Sequence, residues 1–532
     1  MSAPQSIINI CSGVKLNSRY EHSIYFASAA AQREYFTGKV VKTFTGYTFL
    51  RKSYPIKVAA TMEQAKKWNY LFFNNSESGK TYYYFINNVE YVNDGTVELT
   101  LELDVLQTYL FDFELLPSFV ERQHTTTDVA GQHTVDEGLE LGEFTNMQRS
   151  ELDLGELCIM IMSTVNPEAQ TENDVVKALP YMYNGVFSGV KIWAVEAADW
   201  AAWGNQLNKL DELGATESIV AMWMYPKKLV RLGGEDTWEN GLVHVVERAT
   251  TQEDGYLLNL SALARRGNLD GYTPKNKKLH TYPFHFLLAT NNQGNSAVYR
   301  YERFDGLDDN GFTVSGALSP DGGVRLTPQG YNGVTYNYAE GLTLTGYPTC
   351  AWNSDVYKLW IAQNQNSQFM NMATGGLKIA GGIIGAIATA ATGVGAAVGL
   401  GTAASGAIQI MDALSQKADK DIVPPQAQGN FSTSVNITNG MHTFSFYERC
   451  VNAERARIID DYFTMYGYKL NRVQTPNINA RPAFTYVKTI GCHIKGDMCN
   501  EDVCRIESIF DTGVTFWKNG DSIGNYSLNN SV

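Results

Sequence analysis

The feature that most constrains this chain is an uncharged run of 33 residues, from Ile379 to Met411, between Lys378 and Asp412. As one continuous helix the run would extend about 50 Å at 1.5 Å per residue, whereas the hydrocarbon core of a bilayer is about 30 Å thick. The run is therefore long enough for a single membrane crossing. Two antiparallel spans that turned near Gly393 would each be too short to cross.

The composition of this run makes its insertion into a membrane conditional. Ten of its residues are large and apolar, and together they contribute roughly −3 to −6 kcal/mol on an insertion scale. The others are Ala, Gly, Thr, Ser and Gln, whose polar and flexible members offset much of that free energy. Small residues at Gly381/Gly385 and Gly395/Gly399 allow helices from several copies to pack closely. We therefore predict a segment that inserts conditionally, as fusion peptides do.

Two other interpretations of the run remain open. A buried core helix conflicts with its eight glycines, each of which weakens a helix by up to about 1 kcal/mol relative to Ala. A phosphate-binding glycine loop conflicts with the sequence around Gly393 and Gly395, which neither follows a clear strand nor completes a dinucleotide-binding pattern. We favour conditional insertion, and we expect acidification to ease it by neutralising Asp412, Asp419 and Asp421.

The charge of the chain excludes a protein that grips duplex DNA. Its formal net charge is −13, whereas such a protein needs Lys and Arg clustered against phosphates. We interpret the best short basic patch, Lys275, Lys277 and Lys278, as a solvated loop. An acidic lining would nevertheless suit a channel through which DNA slides. Seven scattered cysteines and an N-terminus without a signal-peptide pattern lead us to expect synthesis in a reducing cytoplasm.

Alternating patterns predict that most of the chain is β structure. The 30 Tyr residues suit half-buried strands, and the 47 Gly residues suit tight turns. From Val97 to Val105 apolar residues alternate strictly with polar ones, which predicts a strand with one buried face. Asn93-Asp94-Gly95 lies just upstream and predicts a β-hairpin. From 255 to 348, repeated Asn-Gly and Asp-Gly turns predict the short strands of a sandwich or barrel.

Two segments have helical spacing. We predict one helix from Ala194 to Leu213, which Gly214 closes in a left-handed conformation. We predict a second helix from Cys450 to Tyr466, which Gly467 stops. The apolar stripe of each segment is typical of a helix that packs against a core.

Three groups resemble enzyme sites only in part. Residues 78–81 look like the end of a phosphate-binding loop, but a Tyr-rich strand is predicted where a helix is required. The acidic group Asp136, Glu137, Glu140 and Glu143 would suit a glycoside hydrolase pair, and we interpret it as an exposed loop. The Cys-rich stretch 492–504 lacks the paired spacing of zinc ligands. We therefore predict no catalytic residue, no metal site and no cofactor.

Several strings are specific when they are taken together in their order along the chain. Residues 102–124 read ELDVLQTYLFDFELLPSFVERQH and are followed by DEGLELGE. The apolar run ends in ALSQKADKDIVPPQ, and residues 466–526 contain GYKLNRVQTPN, ARPAFTYVKT, IFDTGVTFW and IGNYS. Over residues 1–145 and 350–532, the chain resembles the tail knob proteins of the phi29 group of short-tailed Bacillus phages.

The resemblance implies a structural protein of the distal tail of a virion, assembled in the host cytoplasm. It implies a homohexamer whose β-barrel or sandwich modules form the wall of a tube and which associates with other tail and collar proteins. Apolar loops would plug the tube before infection and then form a channel in the host membrane, through which phage DNA passes without sequence recognition. The residues that carry over are those of the insert: Gly375, Gly376, Leu377, Ile379, Gly381, Gly382, Ile383, Ile384, Gly385, Ile387, Gly393, Val394, Gly395, Val398, Gly399, Leu400, Ile408, Ile410, Met411 and Leu414.

We thus predict a mainly β (α+β), multi-domain fold with a few helices and one apolar Gly/Ala-rich insert. The predicted segments are an N-terminal β-rich tube domain (1–145), an α+β domain (146–254), a β-rich knob-type domain (255–349), a helix with the apolar loop 375–414 (350–430) and a C-terminal β-rich tube domain with one helix (431–532). A tail-associated wall-degrading enzyme and a free pore-forming protein are the alternative functions.

Overall fold

A computed structural model describes residues 6–47, 55–75, 79–152, 443–532 and, with short gaps, 154–351; the longest of these gaps is 165–180. In this described part, strands far outnumber helices and form several separate sheets. The predicted mainly β fold with a few helices is therefore confirmed. The apolar insert and the helix predicted beside it lie outside the described residues.

The chain folds into two compact units and passes back and forth between them. Unit 1 combines Met1–Glu143, Gly267–Phe284 and Val451–Val532. Unit 2 combines Phe144–Arg266 and His285–Cys450. The five consecutive segments of the sequence analysis divide the chain differently, since residues 255–349 and 431–532 each contribute to both units. That five-segment division stays a prediction.

The N-terminal part of unit 1 builds an antiparallel sheet of six strands in the order β3-β1-β5-β6-β7-β4. Two more strands, β2 (His22–Ile24) and β9 (Ser118–Gln123), join a second sheet of the same unit. The strand β8 (Phe113–Leu115) pairs with β29 (Ile494–Gly496). The elements are β1 (Ser6–Ser12), β2 (His22–Ile24), α1 (Ala29–Thr37), β3 (Val40–Tyr47), β4 (Ile56–Val58), α2 (Met62–Ala65), β5 (Trp68–Asn75), β6 (Thr81–Asn93), β7 (Thr96–Leu103), α3 (Val105–Tyr109), β8 (Phe113–Leu115) and β9 (Ser118–Gln123).

The predicted hairpin is the connection between β6 and β7. Asn93 pairs with Thr96, so that Asp94 and Gly95 form a two-residue turn. Along β7 every second side chain is buried, and the side chains between them are half-buried. The local turn signal and the alternation therefore predicted this part of the sheet correctly.

The strand ends earlier than the alternation predicts. Val105 lies in α3, because Asp104 caps that helix by accepting a hydrogen bond from the Gln107 N–H at 3.0 Å. A capping carboxylate can start a helix even where apolar residues continue a strand pattern. The prediction that the strand reaches Val105 is thus wrong.

Unit 2 contains three larger sheets, in the orders β10-β26-β19-β20, β16-β17-β14-β11-β15-β25 and β18-β21-β22-β23, with β24 beside β22. In the first of these sheets β19 pairs antiparallel with β20 and β26, and every pairing within the other two sheets is antiparallel. The strands are β10 (Phe144–Glu151), β11 (Leu157–Ser163), β12 (Tyr181–Tyr183), β13 (Val186–Ser188), β14 (Lys191–Glu196), β15 (Ile219–Pro226), β16 (Val230–Trp238), β17 (Gly241–Ala249), β18 (Tyr256–Asn259), β19 (His285–Thr290), β20 (Ser296–Tyr299), β21 (Gly311–Gly316), β22 (Val324–Tyr331), β23 (Val334–Tyr336), β24 (Leu342–Leu344), β25 (Thr349–Ala351) and β26 (Ser445–Val451).

The helix predicted from Ala194 is wrong at its start. Ala194 is buried in β14 and pairs with Met160 and His244, since this stretch completes a sheet between two other strands. The described residues between 206 and 212 are helical, and Gly214 follows them with a φ of +63°. The predicted left-handed glycine at the end of the helix is confirmed.

The C-terminal part of unit 1 completes its second sheet, in the order β2-β30-β28-β9-β27. Only the β2–β30 pairing in this sheet is parallel. The elements are α4 (Ala453–Tyr466), β27 (Tyr468–Gln474), β28 (Phe484–Ile490), β29 (Ile494–Gly496), α5 (Asn500–Thr512) and β30 (Val514–Trp517).

The second predicted helix is confirmed as α4, with a corrected start. Cys450 belongs to β26, and Asn452 caps the helix by accepting a hydrogen bond from the Arg455 N–H at 2.8 Å. Gly467 ends it, as predicted, with a φ of +65°. A Cβ atom at Gly467 would lie 2.4 Å from the backbone of Gln123, so no other residue fits there without displacing β9.

Candidate functional site

The structure describes the two chain ends that hold the apolar insert. All predicted membrane-insertion residues, from Gly375 to Leu414, lie outside the described residues. The strand β25 leads into that segment, and β26 follows it. These two strands and the residues around them are the described part of the candidate site, and we call them the anchors.

The N-terminal anchor is the edge strand of the six-stranded sheet of unit 2. Trp223 pairs with Thr349, and Ala221 pairs with Ala351. Just before β25, the Tyr347 ring is buried and its centroid lies 5.5 Å from that of Tyr225. Burial raises the pKa of Tyr347 well above its usual value, so this phenol stays neutral and acts as an apolar anchor.

The C-terminal anchor is fixed by hydrogen bonds before its strand begins. The Thr443 hydroxyl donates to the Leu152 carbonyl at 2.6 Å, and the Leu152 N–H donates to the Phe444 carbonyl at 2.9 Å. The Asn292 amide donates to the Thr443 carbonyl at 2.8 Å. The strand β26 then runs between β10 and β19, in the interior of its sheet. The backbone that follows the insert is therefore held from its first described residues.

Both anchors belong to one hydrophobic core. Tyr347 before β25 and Phe444 and Phe446 at β26 are buried in the same cluster of unit 2. Burying each side chain of this size stabilises the fold by about 1.5–3 kcal/mol. The two ends of segment 352–442 are thus attached to the same folded unit, whatever that segment does.

A buried polar pair reinforces the C-terminal anchor. His285 of β19 and Glu448 of β26 are fully buried, and the His285 Nε2 lies 2.9 Å from a Glu448 carboxylate oxygen. Buried pairs of this kind are costly to break, because the remaining group keeps its desolvation penalty. Sequence analysis did not single out this pair, because its two residues are far apart along the chain and neither stands in a recognisable motif.

The acidic group from Asp136 to Glu143 does not lie wholly in an exposed loop. Glu137 is buried and forms ion pairs with Arg122 and Lys278, and it accepts a hydrogen bond from the Lys469 N–H at 3.0 Å. The prediction of an exposed loop is therefore wrong for Glu137, because its partners come from all three segments of unit 1. The other three carboxylates of the group are exposed.

The basic patch is also divided by the structure. Lys275 and Lys277 are exposed, as predicted, but Lys278 is buried and its ammonium donates to the Val135 carbonyl at 2.7 Å. Burial lowers the pKa of Lys278, and the neighbouring Glu137 opposes that shift. The cluster of Arg122, Glu137 and Lys278 joins the segments of unit 1 and has the character of a structural network.

The structure also describes the two remaining enzyme-like groups. Thr81 begins β6, so a strand follows Lys80, as predicted, and the Lys80 ammonium lies 2.9 Å from an Asp112 oxygen. In the stretch 492–504, Cys492 is buried whereas Cys499 and Cys504 are exposed. Among the residues that the structure describes, no group of three His, Cys, Asp or Glu side chains could hold a metal ion.

The described helices are short. None of them is long and apolar enough to cross a membrane.

Family models match two stretches of the chain. The model of the C-terminal domain of the Bacillus phage phi29 tail knob protein gp9 matches residues 254–531, and a model of the N-terminus of the caudoviral major tail protein matches residues 4–114. The tail knob proteins gp9 of Bacillus phages B103, PZA and phi29 are each 26% identical to this chain. Each alignment covers 99% of this chain and 98% of the relative.

A solved structure has the same fold. The tail knob protein gp12 of bacteriophage C1 superposes with a TM-score of 0.66, covering 99% of this chain and all of that one. The sequence identity is 14%, so this likeness concerns the fold alone.

Proposed function

We propose that this chain, which belongs to the family of the Bacillus phage phi29 tail knob protein, forms the distal tube of a short phage tail and opens the host membrane with its apolar insert. It is a structural protein of a phage tail. The uncharged run from Ile379 to Met411 is the observation that supports membrane penetration.

The two anchors support a segment that changes its surroundings while its unit stays folded. Both ends of 352–442 are attached to one core of unit 2, through β25 on one side and β26 on the other. The segment is shielded inside a tube before infection and enters lipid afterwards. A marginal free energy of insertion suits both states, because it permits insertion without making it permanent. Several copies that enter the membrane together stabilise one another, because their small residues allow the helices to pack closely.

The proposed assembly is a homohexamer attached to other tail and collar proteins of the virion. Phage DNA passes through the lumen without sequence recognition, which suits a chain with a net charge of −13. Acidification eases insertion by neutralising Asp412, Asp419 and Asp421 at the end of the run.

Deletion of residues 379–411 tests this function. Purified tubes of the full chain are expected to release dye from liposomes, more strongly at mildly acid pH than at neutral pH. The deleted chain is expected to assemble but to release none, because the anchors fold without the insert. A deleted chain that fails to fold would favour the buried-core interpretation, and leakage that persists after deletion would contradict the proposal.

A point variant with a matched control separates insertion from general damage. Ile383→Asp places a charge within the run and adds about 3–4 kcal/mol to the insertion of each copy. Ile458→Asp makes the same change at an exposed position of α4. Leakage should fall at least tenfold for the first variant and stay at the wild-type level for the second. Equal leakage from both variants would contradict a role for the run in the membrane.

A further inference from the structure

Unit 1 contains a polar cavity that neither the anchors nor the insert uses. The cavity has a volume of about 350 Å³ and lies where the chain after β9 meets the end of β27. Every side chain that lines it is polar, and three of them, Gln123, Thr125 and His133, are more than nine-tenths buried. Its size is at the lower end of the range for small-molecule sites, roughly 300–1,000 Å³.

The side-chain amides of this cavity have their oxygens occupied by the protein. The Gln123 oxygen accepts a hydrogen bond from the Asn477 N–H at 3.2 Å, and the Asn477 oxygen accepts one from the Asn479 N–H at 2.8 Å. The Gln474 oxygen accepts one from the Arg472 Nε at 2.6 Å. Because these partners can only donate, they fix the orientation of three amides, with the NH₂ groups left over.

The oxygen of the fourth amide is also occupied, by a hydroxyl group. The Gln132 oxygen accepts a hydrogen bond from the Thr127 hydroxyl at 2.9 Å. The Thr127 carbonyl in turn accepts one from the Thr125 hydroxyl at 2.7 Å and lies 3.3 Å from the His133 Nε2. None of the four NH₂ groups bonds to a residue that the structure describes. The hydrogen bonds around the cavity therefore occupy the amide oxygens and leave the amide N–H donors available to a ligand.

The cavity also carries an uncompensated positive charge. Arg472 is exposed, no carboxylate is among the lining residues, and Arg472 forms no ion pair with any described residue. Burial lowers the pKa of His133, which leaves Arg472 as the charged group at neutral pH. Free N–H donors select a ligand rich in oxygen acceptors, and a guanidinium selects an anionic group on that ligand.

We propose that this cavity binds a sugar phosphate, with its phosphate on Arg472 and its hydroxyl and ring oxygens on the amide groups of Gln123, Gln132, Gln474 and Asn477. A free sugar phosphate and a sugar phosphate unit within a polymer share sugar oxygens and an anionic phosphate, and they differ in whether that phosphate is a monoester or a diester. The proposal is independent of membrane insertion, because the cavity lies wholly in unit 1 and the anchors lie in unit 2.

Titration of the full-length chain with glucose 1-phosphate, followed by calorimetry, tests the proposal. Saturable binding is expected, and both glucose and inorganic phosphate are expected to bind at least tenfold more weakly because each lacks one half of the ligand. Binding of the methyl diester of glucose 1-phosphate as tight as that of the monoester would assign the site to a polymer unit, and weaker binding would assign it to the free ester.

Two variants and a control connect the binding to the cavity. Arg472→Gln and Gln132→Glu should each weaken glucose 1-phosphate binding about tenfold or more, since one loses the charge and the other replaces donors with an anion. Both positions are exposed, so the variants are expected to unfold at the wild-type temperature. Arg19→Gln, at another exposed site of unit 1, should bind as the wild type does. No saturable binding to the wild type, equal binding of inorganic phosphate, or equal binding by the Arg472 variant would overturn the proposal.

Discussion

His124 makes unit 1 sensitive to acid, and its replacement by Gln tests this. The N–H of Tyr486 donates to the His124 Nδ1 at 2.8 Å, and the His124 Nε2 lies 3.1 Å from the Thr464 carbonyl. The ring is therefore held as the neutral tautomer with its proton on Nε2. A second proton would have to occupy Nδ1, where it would meet the Tyr486 N–H. Burial, assisted by the charge of Arg481, lowers the pKa of His124 to about 3.

The size of the effect follows from the two pKa values. In the unfolded chain the pKa of His is about 6.5, so below that pH the unfolded state takes up a proton that the folded state does not. The free energy of unfolding therefore falls as the pH falls, by about 1.4 kcal/mol per pH unit below 6.5. The accumulated loss from this one residue is about 2.7 kcal/mol at pH 4.5 and vanishes above pH 7.5.

His124→Gln retains an acceptor and a donor without a titrating group. The measurement is hydrogen exchange of the β28 peptide, Phe484–Ile490, in wild type and variant. A variant that is less protected than wild type at pH 7.5 should reach similar protection at pH 4.5. More generally, the variant should gain about 2.7 kcal/mol relative to wild type across this range. His493→Gln, at an exposed position, is the matched control. A stability difference between wild type and variant that stays constant with pH would show that His124 does not cause the acid sensitivity.

Three further variants test the packing. Gly467→Ala should destabilise unit 1 by roughly 2–5 kcal/mol in urea unfolding, because its Cβ would collide with the β9 backbone. The control Gly13→Ala, at a position with a positive φ but open space, should cost only about 1–2 kcal/mol. Equal costs of the two variants would contradict the collision. Glu137→Ala should lower the free energy of unfolding by about 3–5 kcal/mol, because Lys278 and Arg122 would stay buried without a counter-charge. A change within about 0.5 kcal/mol would show that this ion-pair network is dispensable. Phe444→Ala should cost about 3–5 kcal/mol and increase hydrogen exchange in β26, and unchanged exchange would argue against a rigid C-terminal anchor.

Local signals in the sequence predicted the local structure well. The Asn-Asp-Gly turn fixed the β6–β7 hairpin, and Gly214 and Gly467 end helices as their positions predicted. These predictions rest on interactions between residues a few positions apart, which a sequence shows directly. Where two local signals competed, as when the Asp104 cap met an alternating strand pattern, periodicity gave the wrong answer.

Features that depend on distant segments were beyond the sequence. The burial of Glu137 could not be predicted, because its partners Arg122 and Lys278, and the N–H of Lys469, come from three separate segments of unit 1. The polar cavity likewise depends on hydrogen bonds between residues near 123–133 and 472–479. The candidate site was predicted from composition and family resemblance alone, and the structure adds its two anchors.

Labelling from within the bilayer shows whether the apolar insert enters the membrane. A photoreactive reagent dissolved in the lipid of acidified liposomes, applied to purified tubes and followed by peptide mapping, would identify the residues that enter the membrane. The labels are expected to fall within residues 375–414, and the anchors β25 and β26 are expected to remain unlabelled. Labels concentrated in unit 1 or unit 2 outside that segment, or no labels on the chain while the liposomes leak, would contradict insertion by this segment.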